Sequence, residues 1–431
     1  MLILGIFGGL VLLMLLGVPI AISLGLTAIG TMYWMGGTDL LIMFAQRAYF
    51  GTASFPLLAV PFFILAGNLM NTGGVTQRIF GVAQLCVGRI HGGLGHVNVI
   101  ASMIFAGMSG SAVADAAGLG AVEIDAMTRA GYRRRFAAAI TAVSSTIGPI
   151  IPPSIPFVIY GSLTNVSVGA LFLGGIIPGL LMGLALMAVI AVVAKRQNLP
   201  RMLERPAGRE ALRVLLGALP SLAMPPIIVV GILTGVFTPT EAAVAATLYA
   251  TILGVLVYRE LKLSNLLEIL WESAKQTVQV MFIIAAASPF GWVLIQQQVP
   301  NAVINAILSL STTPWVILLM VNLILFVLGM FIEGIAIMII TFPIFLPLIA
   351  QIQVDPTHFG VVVVLNLMIG LVTPPVGMCL YAVSAISKVP MGEMFKEMWP
   401  YVLVLVAVLG VVTYCPAVTL WLPRLFGLVR G

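Results

Sequence analysis

Oxygen-bearing residues interrupt an otherwise apolar sequence at two short segments. The first is Gly107-Met-Ser-Gly-Ser111, with Asp115 one helical turn beyond it, and the second is Glu333-Gly334. Hydroxyl, carboxylate and backbone carbonyl oxygens are the ligands that hard cations prefer. These residue types therefore favour coordination of a small cation, and an ionisable group in a hydrophobic segment is by default a functional hypothesis.

Each of these residues also has a purely structural explanation. Glycine and serine at a turn let helices pack closely. Asp115 can hydrogen-bond the backbone of its turn, and Glu333 can cap the helix that follows it. Two further polar residues in apolar segments, Asn68 and Asn366, are expected to join neighbouring helices through hydrogen bonds.

Two proline-rich breaks lie in apolar runs elsewhere, at residues 148–154 and 370–377. Proline removes a backbone donor and cannot continue a helix. A broken helix at membrane depth is tolerated only inside protein or beside a cavity, and paired breaks in corresponding halves mark a transporter's binding site. A single offset aligns the two breaks: Gly148 with Gly370, Pro152 with Pro374, and Pro153 with Pro375.

The composition indicates a membrane protein. Of 431 residues, 61% are hydrophobic and 8% are charged, against about 25% charged in an ordinary soluble domain. The apolar runs recur along nearly the whole length and do not alternate, which predicts an all-α polytopic protein and disfavours a β-barrel. The first residues lack the positive charge and cleavage site of a signal peptide, so we expect a transmembrane helix there.

Several function classes are disfavoured. No Walker A motif occurs, so this chain is not expected to drive transport with ATP. The three cysteines and three histidines show no metal or redox spacing, and HExxH is absent, so we expect no enzyme activity, no cofactor and no metal beyond a coupling ion. The net charge of +6 lies on short loops, where it sets topology rather than binding nucleic acid.

Short paired helices must position the polar turns and the breaks. The 109–111 turn divides residues 96–128 into two arms, each shorter than the roughly 20 residues of a membrane span. This pattern predicts a re-entrant hairpin, the alternative being one long helix with a flexible centre, and a broken helix follows at about 136–164. Glu123 and Asp125, near the open end of the hairpin, are expected to be solvated or paired with arginines.

The second half repeats this plan. Its hairpin is expected at about 314–350, with Glu333 and Gly334 at the tip, and its broken helix at about 358–387. Because matching interruptions recur at one offset, the halves are interpreted as repeats. The predicted boundaries are 1–194 for the first repeat, 195–216 for a basic linker, and 217–431 for the second repeat.

The remaining segments predict membrane spans and two helices on the membrane surface. The surface helices are expected at 38–51 and 260–271, and a polar connection containing Arg78 is expected after residue 70. The predicted spans are 1–17, 20–35, 55–70, 169–194, 217–235, 242–257, 278–295 and 399–420.

Each half contributes five crossings and one re-entrant hairpin, so the repeats are inverted with respect to each other. Basic loops face the cytoplasm, which places the 195–216 linker inside and the N-terminus in the periplasm. In this orientation all of the 20 lysines and arginines are cytoplasmic except Arg47, Arg424 and Arg430. The first hairpin then opens to the cytoplasm and the second opens outward.

Each hairpin tip and its neighbouring break form one candidate site for a hard cation such as sodium, and the family resemblance described below implies that the ion is sodium. Helix ends near the midplane expose N–H groups, which suit carboxylates, and C=O groups, which suit sodium. The first site contains Ser109, Gly110, Ser111, Gly148, Pro152 and Ser154. The second contains Gly329, Glu333, Gly334, Gly370, Thr373 and Gly377.

Five runs of the sequence are similar to those of a known family. They are FAGMSGSAVAD at 105–115, IGPIIPPS at 147–154, GLVTPPVG at 370–377, GVPIA at 17–21 and FFILAGN at 62–68. Together they resemble the large membrane subunit of tripartite ATP-independent periplasmic (TRAP) transporters, the DctM-like family. The resemblance covers the whole chain and depends on the combination of runs.

The resemblance implies an importer in the bacterial cytoplasmic membrane that couples sodium to uptake of an organic acid, such as a C4-dicarboxylate or sialic acid. It implies an elevator, in which a domain of hairpins and broken helices slides against a scaffold. It also implies two partners, a DctP-like periplasmic binding protein and a small four-helix DctQ-like subunit, expected as a separate chain because no such sequence is fused here. Substrate contacts are expected at Ser111, Asp115, Pro153, Thr373 and Pro375.

The main alternative is a stand-alone sodium–carboxylate symporter of related inverted-repeat architecture that needs no binding protein. A channel or a non-transporting scaffold would account for the spans but not for the paired breaks. No intramembrane arginine stands out as a carboxylate partner, so helix N-termini or the binding protein are expected to dominate recognition.

Overall fold

Helices account for every regular element in the described part of the chain. The structure, a computed structural model, describes residues 2–88, 90–200 and 208–429, and within them no β-strand occurs. Nine helical segments of these residues are long and apolar enough to cross a membrane. The prediction of an all-α polytopic membrane protein is confirmed.

The first half contains ten α-helices, and the hairpin expected at 96–128 and the broken helix expected at 136–164 are both present as helix pairs. A short 3-10 helix, Ser145–Ile147, extends the first member of the broken pair. The helices are α1 Leu2–Leu15, α2 Ile20–Gly36, α3 Leu41–Thr52, α4 Ala59–Thr72, α5 Val75–Val87, α6 Gly93–Ser109, α7 Ala112–Arg129, α8 Arg134–Ser144, α9 Ile155–Thr164 and α10 Val168–Arg196.

The second half also contains its expected hairpin and broken helix, as α16–α17 and α18–α19. Both arms of this hairpin are long and apolar enough to count among the nine candidate spans, so length alone does not mark them as re-entrant. The helices are α11 Gly208–Leu222, α12 Met224–Leu233, α13 Pro239–Ile252, α14 Leu263–Gln296, α15 Val299–Leu310, α16 Pro314–Phe331, α17 Gly334–Gln351, α18 Pro356–Gly370, α19 Met378–Ser387, α20 Met391–Tyr414 and α21 Ala417–Leu425.

The surface helix predicted at 260–271 and the span predicted at 278–295 are not separate, because α14 runs through both as one helix of 34 residues. The polar residues 272–277 between them include no glycine or proline. Polar residues of this kind continue a helix although they interrupt an apolar run. Lys275 lies 3.5 Å from Glu272 one turn earlier.

Two short amphipathic helices were not predicted. The segment after residue 70, expected as a polar connection, forms α5, which buries Val75, Ile79 and Ala83 at helical spacing. Its counterpart α15 immediately precedes the second hairpin and buries Ile304 and Ile307. Each hairpin is therefore preceded by a helix that is half apolar and too short to give a membrane signal.

The closing span and the linker also differ from prediction. The span expected at 399–420 is two helices, because the chain turns between Tyr414 and Ala417 at a proline. The linker expected at 195–216 is helical from Gly208 onward. Its basic residues Arg201 and Arg205 lie outside the described residues, as do Arg89 and Arg430.

The helices pack as two groups. In group A (α1–α4 and α12–α14), α14 packs against α2, α3 and α4, and α13 packs against α4. In group B (α6–α10 and α16–α21), α8 packs against α7 and α20, α10 against α20 and α21, and α16 against α18. The groups meet where α4 contacts α6 and where α14 contacts α17.

The broken helices lie inside group B. Residues 136–150 and 357–370 are all buried, whereas Leu216 on α11 and Leu323 on α16 are more than half exposed. In a membrane protein such exposed apolar faces contact lipid. The interrupted backbone is thus surrounded by protein, which is the condition for a broken helix at membrane depth.

Candidate ion and substrate site

The first hairpin turns at Gly110. Helix α6 ends at Ser109, and Gly110 takes the left-handed conformation (φ 62°) that glycine adopts readily. Ser111 is extended, and its Oγ accepts a hydrogen bond from Ala114 N at 3.4 Å as the N-cap of α7. The backbone leaves the helical conformation completely, which excludes the alternative of one long helix with a flexible centre.

This turn lies directly against the first break. Ile155 N donates to Gly110 O at 3.4 Å, and a Cβ at Gly110 would lie 2.7 Å from Pro153 O. Only glycine fits there, on grounds of both space and conformation. The structure therefore brings the 109–111 turn and the 148–154 break together, and we call them the first tip–break unit.

Ser154 closes the first break. Its Oγ accepts a hydrogen bond from Phe157 N at 3.2 Å, as the N-cap of α9, and donates to Pro149 O at 2.5 Å. The peptide bond between Pro152 and Pro153 is cis. Ser154 thus fixes the ends of the loop, and its oxygen keeps one lone pair for another ligand.

Asp115 connects the tip to the break. Its side chain is 2% exposed, and Oδ1 accepts a hydrogen bond from Ser109 Oγ. Oδ2 has no hydrogen-bond partner among the described residues and faces Gly148, where a Cβ would overlap it. Asp115 therefore bonds a side chain of the turn and leaves one buried oxygen beside the break.

The second hairpin turn lies against the second break in the same way. Val376 N donates to Met330 O at 3.2 Å, and a Cβ at Gly370 would lie 2.8 Å from Gly329 Cα. Glu333 caps α17 by accepting a hydrogen bond from Ala336 N at 3.1 Å. Residues 329–334 and 370–377 form the second tip–break unit.

Within the second break the hydroxyl of Thr373 donates to Ile369 O at 2.8 Å. The Pro374–Pro375 peptide bond is cis, as in the first break. Gly377 precedes α19 with φ 57°. Gly334 lies against Leu367, which places the start of α17 on the last turns of α18.

The two units are interlocked through the second halves of the broken helices. Helix α19 packs against α7 and α8, and its Cys379 is buried. Helix α9 packs against α17 and α18, where Tyr160 Oη donates to Pro356 O at 2.7 Å and its ring meets Phe342 edge-on at 4.8 Å. A displacement of one unit would therefore carry the other with it.

The chemistry that the units support is coordination by oxygen. The hydroxyls of Ser109, Ser154 and Thr373 each donate to a protein oxygen, which turns lone pairs rather than hydrogens towards any further ligand. No cluster of three or more His, Cys, Asp and Glu side chains suited to a metal occurs in the described ranges. Neutral oxygens with one nearby carboxylate suit a monovalent cation better than a transition metal.

A cleft of about 710 Å³ lies between group A and the first hairpin. One wall is formed by α7 from Ala114, in the turn capped by Ser111, to Val122. The substrate contacts expected from the sequence lie outside this lining. Side chains of α4, α5 and α14 with amide or carboxylate groups form the opposite wall, and they include Asn68, Asn71, Gln77, Glu268, Glu272 and Gln276.

The two asparagines predicted to join helices do so. Asn366 Nδ2 donates to Asn322 Oδ1 at 2.7 Å and joins α18 to α16. Asn68 Nδ2 donates to Ser273 Oγ at 2.8 Å and to Gln276 Oε1 at 3.2 Å, and joins α4 to α14. Sequence reasoning did not find that Asn68 also borders the cleft, which depends on the distance between α4 and α7.

The expectation for the two acidic residues near the open end of the first hairpin is half wrong. Asp125 pairs with Arg129 at 2.8 Å, as expected. Glu123 is neither solvated nor paired with arginine. It is 1% exposed and accepts a hydrogen bond from Asn98 in the protein interior, between α7 and α6. Two positions along a helix differ by about 200°, so neighbours in sequence face opposite sides.

Comparison with known proteins adds to this geometry. The family model described as the DctM component of the tripartite ATP-independent periplasmic transporter matches residues 7–418. The sialic acid TRAP transporter large permease protein SiaM of Vibrio cholerae serotype O1 is 44% identical over 421 residues, 98% of each chain. The C4-dicarboxylate TRAP transporter large permease protein DctM of Pseudomonas aeruginosa is 43% identical over 406 residues, 94% of this chain and 95% of the relative.

A longer relative and a solved structure extend the comparison. The isethionate TRAP transporter permease protein DctMQ of Oleidesulfovibrio alaskensis is 38% identical over 416 residues, which cover 96% of this chain and 65% of that protein. MtrF of Neisseria gonorrhoeae, described as illuminating a class of antimetabolite efflux pumps, superposes with a TM-score of 0.61 over 88% of this chain and 85% of that one. At 14% identity the likeness to MtrF concerns the fold alone.

Proposed function

Because the chain belongs to the DctM family of TRAP transporter large permease components, we propose that it imports an organic acid across the bacterial cytoplasmic membrane, driven by a sodium gradient. The paired tip–break units are the observation that carries this proposal. They supply oxygen atoms and helix ends inside a helical membrane protein, which are the features that sodium and a carboxylate require. The relatives SiaM and DctM are named for sialic acid and C4-dicarboxylates, both organic acids.

One sodium ion is assigned to each tip–break unit. In the first unit, lone pairs of Ser109 and Ser154 and the free oxygen of Asp115 lie around the same turn. In the second unit, Thr373 and Glu333 supply the side-chain oxygens. Sodium binding would offset the negative charge of the buried Asp115, which no cationic side chain in the described part of the chain neutralises.

The substrate would enter through the cleft beside the first unit. Its volume of about 710 Å³ lies within the usual range for small-molecule sites, about 300–1,000 Å³. The N-terminus of α7, capped by Ser111, offers a partial positive charge beside Ala114, which lines the cleft. The contacts proposed for the substrate's carboxylate are Ser111, Asp115 acting through the sodium ion, Pro153, Thr373 and Pro375. None of them lines the cleft, so the carboxylate would reach them beyond it.

We assign the elevator motion to group B, sliding against group A as scaffold. A contact between the groups makes this testable, because Ser54 Oγ, in the turn before α4, lies 2.8 Å from Ser162 Oγ on α9. A disulfide formed by Ser54→Cys and Ser162→Cys should stop uptake, and reduction should restore it. The matched control joins Arg47→Cys and Ser288→Cys within group A, where Ser288 Oγ donates to Arg47 O at 2.9 Å, and should leave uptake unchanged; uptake that continues with the first disulfide formed would contradict sliding.

The orientation proposed from the basic residues places the N-terminus in the periplasm. It also places Cys86 towards the cytoplasm and Cys415 towards the periplasm, and both thiols are exposed whereas Cys379 is buried. An impermeant maleimide added to intact cells should therefore label the wild type and Cys86→Ser but not Cys415→Ser. Labelling of Cys415→Ser from outside would reverse the orientation.

The partners proposed are a DctQ-like small membrane subunit and a DctP-like periplasmic binding protein. Uptake of a radiolabelled organic acid into proteoliposomes, with and without the binding protein and with and without a sodium gradient, tests the function. Uptake should require both. Sodium-driven uptake without any binding protein would favour the stand-alone symporter. Uptake at the same rate with and without a sodium gradient would contradict sodium coupling.

A further inference from the structure

Glu123 belongs to a second polar cluster inside the first hairpin, away from the tip. Glu123 Oε2 accepts a hydrogen bond from Asn98 Nδ2 at 2.6 Å. Thr141 Oγ1 accepts a hydrogen bond from the same nitrogen at 2.7 Å and donates to Glu123 Oε2 at 3.5 Å. Helices α6, α7 and α8 therefore bring their polar side chains together in the core of group B, where all three residues are buried.

The hydrogen bonds of this cluster run in one direction. Ser102 Oγ donates to Ser144 Oγ at 2.9 Å, and Ser144 Oγ donates to Asn98 Oδ1 at 2.7 Å. Asn98 then donates to Glu123, which is the last acceptor in this series of hydrogen bonds. Glu123 Oε1 is buried without a hydrogen-bond partner, and none of the ion pairs in the described ranges includes Glu123.

A carboxylate held in this way lacks a balancing charge. Burial of an ionised carboxylate is strongly unfavourable unless a cation or several donors compensate. Glu123 has two donors, Asn98 at 2.6 Å and Thr141 at 3.5 Å, and both bond Oε2, so Oε1 has none. Asp115, eight residues earlier on α7, is also buried with one unpartnered oxygen, and at 1.5 Å per residue it lies about 12 Å away along the helix axis. Two buried carboxylates on one hairpin arm repel each other, so a bound cation would stabilise the arm.

We propose that the cluster of Glu123, Asn98, Thr141 and Ser144 binds one monovalent cation, a sodium ion or a proton, in addition to the ions assigned to the tip–break units. The free Glu123 Oε1 and the hydroxyl oxygen of Thr141 provide its ligands. The bound cation neutralises Glu123 and holds α7 against α8. This site goes beyond the proposed function, because it adds one charge to those that move with group B.

None of the ion pairs in the described ranges joins a neighbouring cation to Glu123. The titratable residues on the elements packed around the cluster include Asp115, Asp125 and Arg129 on α7, His96 on α6, Arg134 and Arg135 on α8, Lys195 and Arg196 on α10, Cys379 on α19, Glu393, Lys396, Glu397 and Tyr401 on α20, and Arg78 and Cys86 on α5. Arg135 on α8 and Glu397 on α20 form an ion pair at 3.7 Å, so their two charges balance each other. Arg78 is engaged by Glu260 at 2.7 Å. Glu123 is thus left to an external cation.

Equilibrium binding of radioactive sodium to the full-length protein in nanodiscs, together with the number of protons bound between about pH 6 and 8, where exposed carboxylates are ionised throughout, tests the proposal. Glu123→Gln keeps the acceptor for Asn98 but removes the charge. If the cation is sodium, the variant should bind one ion fewer per chain. If the cation is a proton, the sodium count should stay the same and the variant should take up one proton fewer.

The matched control is Asp125→Asn, which removes an exposed carboxylate two residues away on the same helix and should change neither count. If Glu123→Gln fails to fold, Thr141→Val can be measured instead. It retains the charge of Glu123 and should lower the affinity for the cation by about tenfold, as loss of a supporting ligand does. Sodium and proton counts for Glu123→Gln that equal those of the wild type would overturn the proposal. Wild-type protein that binds no sodium at all would instead defeat the proposed coupling.

Discussion

The two tip–break units have the same backbone plan but place their carboxylates differently. Ser111 and Glu333 occupy the same position, the N-cap of the second hairpin arm, and each accepts a hydrogen bond from a backbone N–H of the first turn. One turn further, the first unit has Asp115 where the second has Ile337. The first unit therefore buries its carboxylate behind the turn, whereas the second carries it at the turn itself.

The units also differ in exposure. In the first, Ser109 and Pro153 are buried, and only Ile151 of the break is partly accessible. In the second, Pro375 and Val376 are exposed. Glu333 itself is half-buried, whereas Asp115 is buried. An enclosed carboxylate attracts a cation more strongly than a half-buried one, because the surrounding dielectric is lower. The first unit should therefore bind its sodium more tightly and contribute more to coupling.

The largest effect is expected when this difference is removed. Asp115→Asn takes the only carboxylate from the first unit and should raise the sodium concentration for half-maximal uptake by about 100-fold, because loss of one partner of a buried charge pair typically costs about 3 kcal/mol. Glu333→Gln keeps the cap of α17 and should raise the same sodium concentration only about threefold. The pair formed by the sodium ion and the half-buried Glu333 is expected to be worth less than one with a buried carboxylate. Sodium dependence of uptake into proteoliposomes measures both.

The control for this pair is Asp125→Asn, which removes a carboxylate from α7 on its exposed side. It should leave sodium dependence at the wild-type value. Equal effects of Asp115→Asn and Glu333→Gln would show that burial does not rank the two units, and a larger effect at Glu333 would reverse the ranking.

An intermediate effect is expected at the equivalent glycines of the two breaks. A Cβ at Gly370 would lie 2.8 Å from the backbone of Gly329, which cannot move aside, so Gly370→Ala should lower the free energy of unfolding by about 2 kcal/mol. A Cβ at Gly148 meets the carboxylate of Asp115, which can rotate away. Gly148→Ala should therefore preserve stability and weaken sodium binding instead.

Thermal unfolding and sodium titration of the same purified variants separate these two outcomes. Gly392→Ala, in α20 with nothing within 4 Å of the added carbon, is the control and should be neutral or slightly stabilising, as expected for alanine in a helix. Loss of stability in Gly148→Ala equal to that in Gly370→Ala would mean that Asp115 is as rigid as backbone.

The positions of both units could be predicted from sequence because glycine and proline act locally. Gly110 turns the chain whatever surrounds it, and the proline pairs end their helices without help from tertiary packing. The burial of Glu123 and the approach of Asp115 to Gly148 could not be predicted, since they depend on how α7 crosses α8. The predicted division of α14 is wrong, because residues 272–277 interrupt the apolar run but still favour a helix.

The smallest effects are expected from single hydroxyl groups, which compare the two units without changing charge. Thr373→Val preserves shape and removes one neutral oxygen, and should raise the half-maximal sodium concentration about threefold while the protein still inserts and folds. Ser111→Ala removes an oxygen and also the cap of α7, which is worth about 1 kcal/mol, so its effect should be larger, about fivefold. Ser111→Thr restores the hydroxyl and should recover most of it. If neither Thr373→Val nor Ser111→Ala altered sodium dependence, these hydroxyls would serve only to end their helices, and the ion would have to be held by carbonyl oxygens and by Asp115 alone.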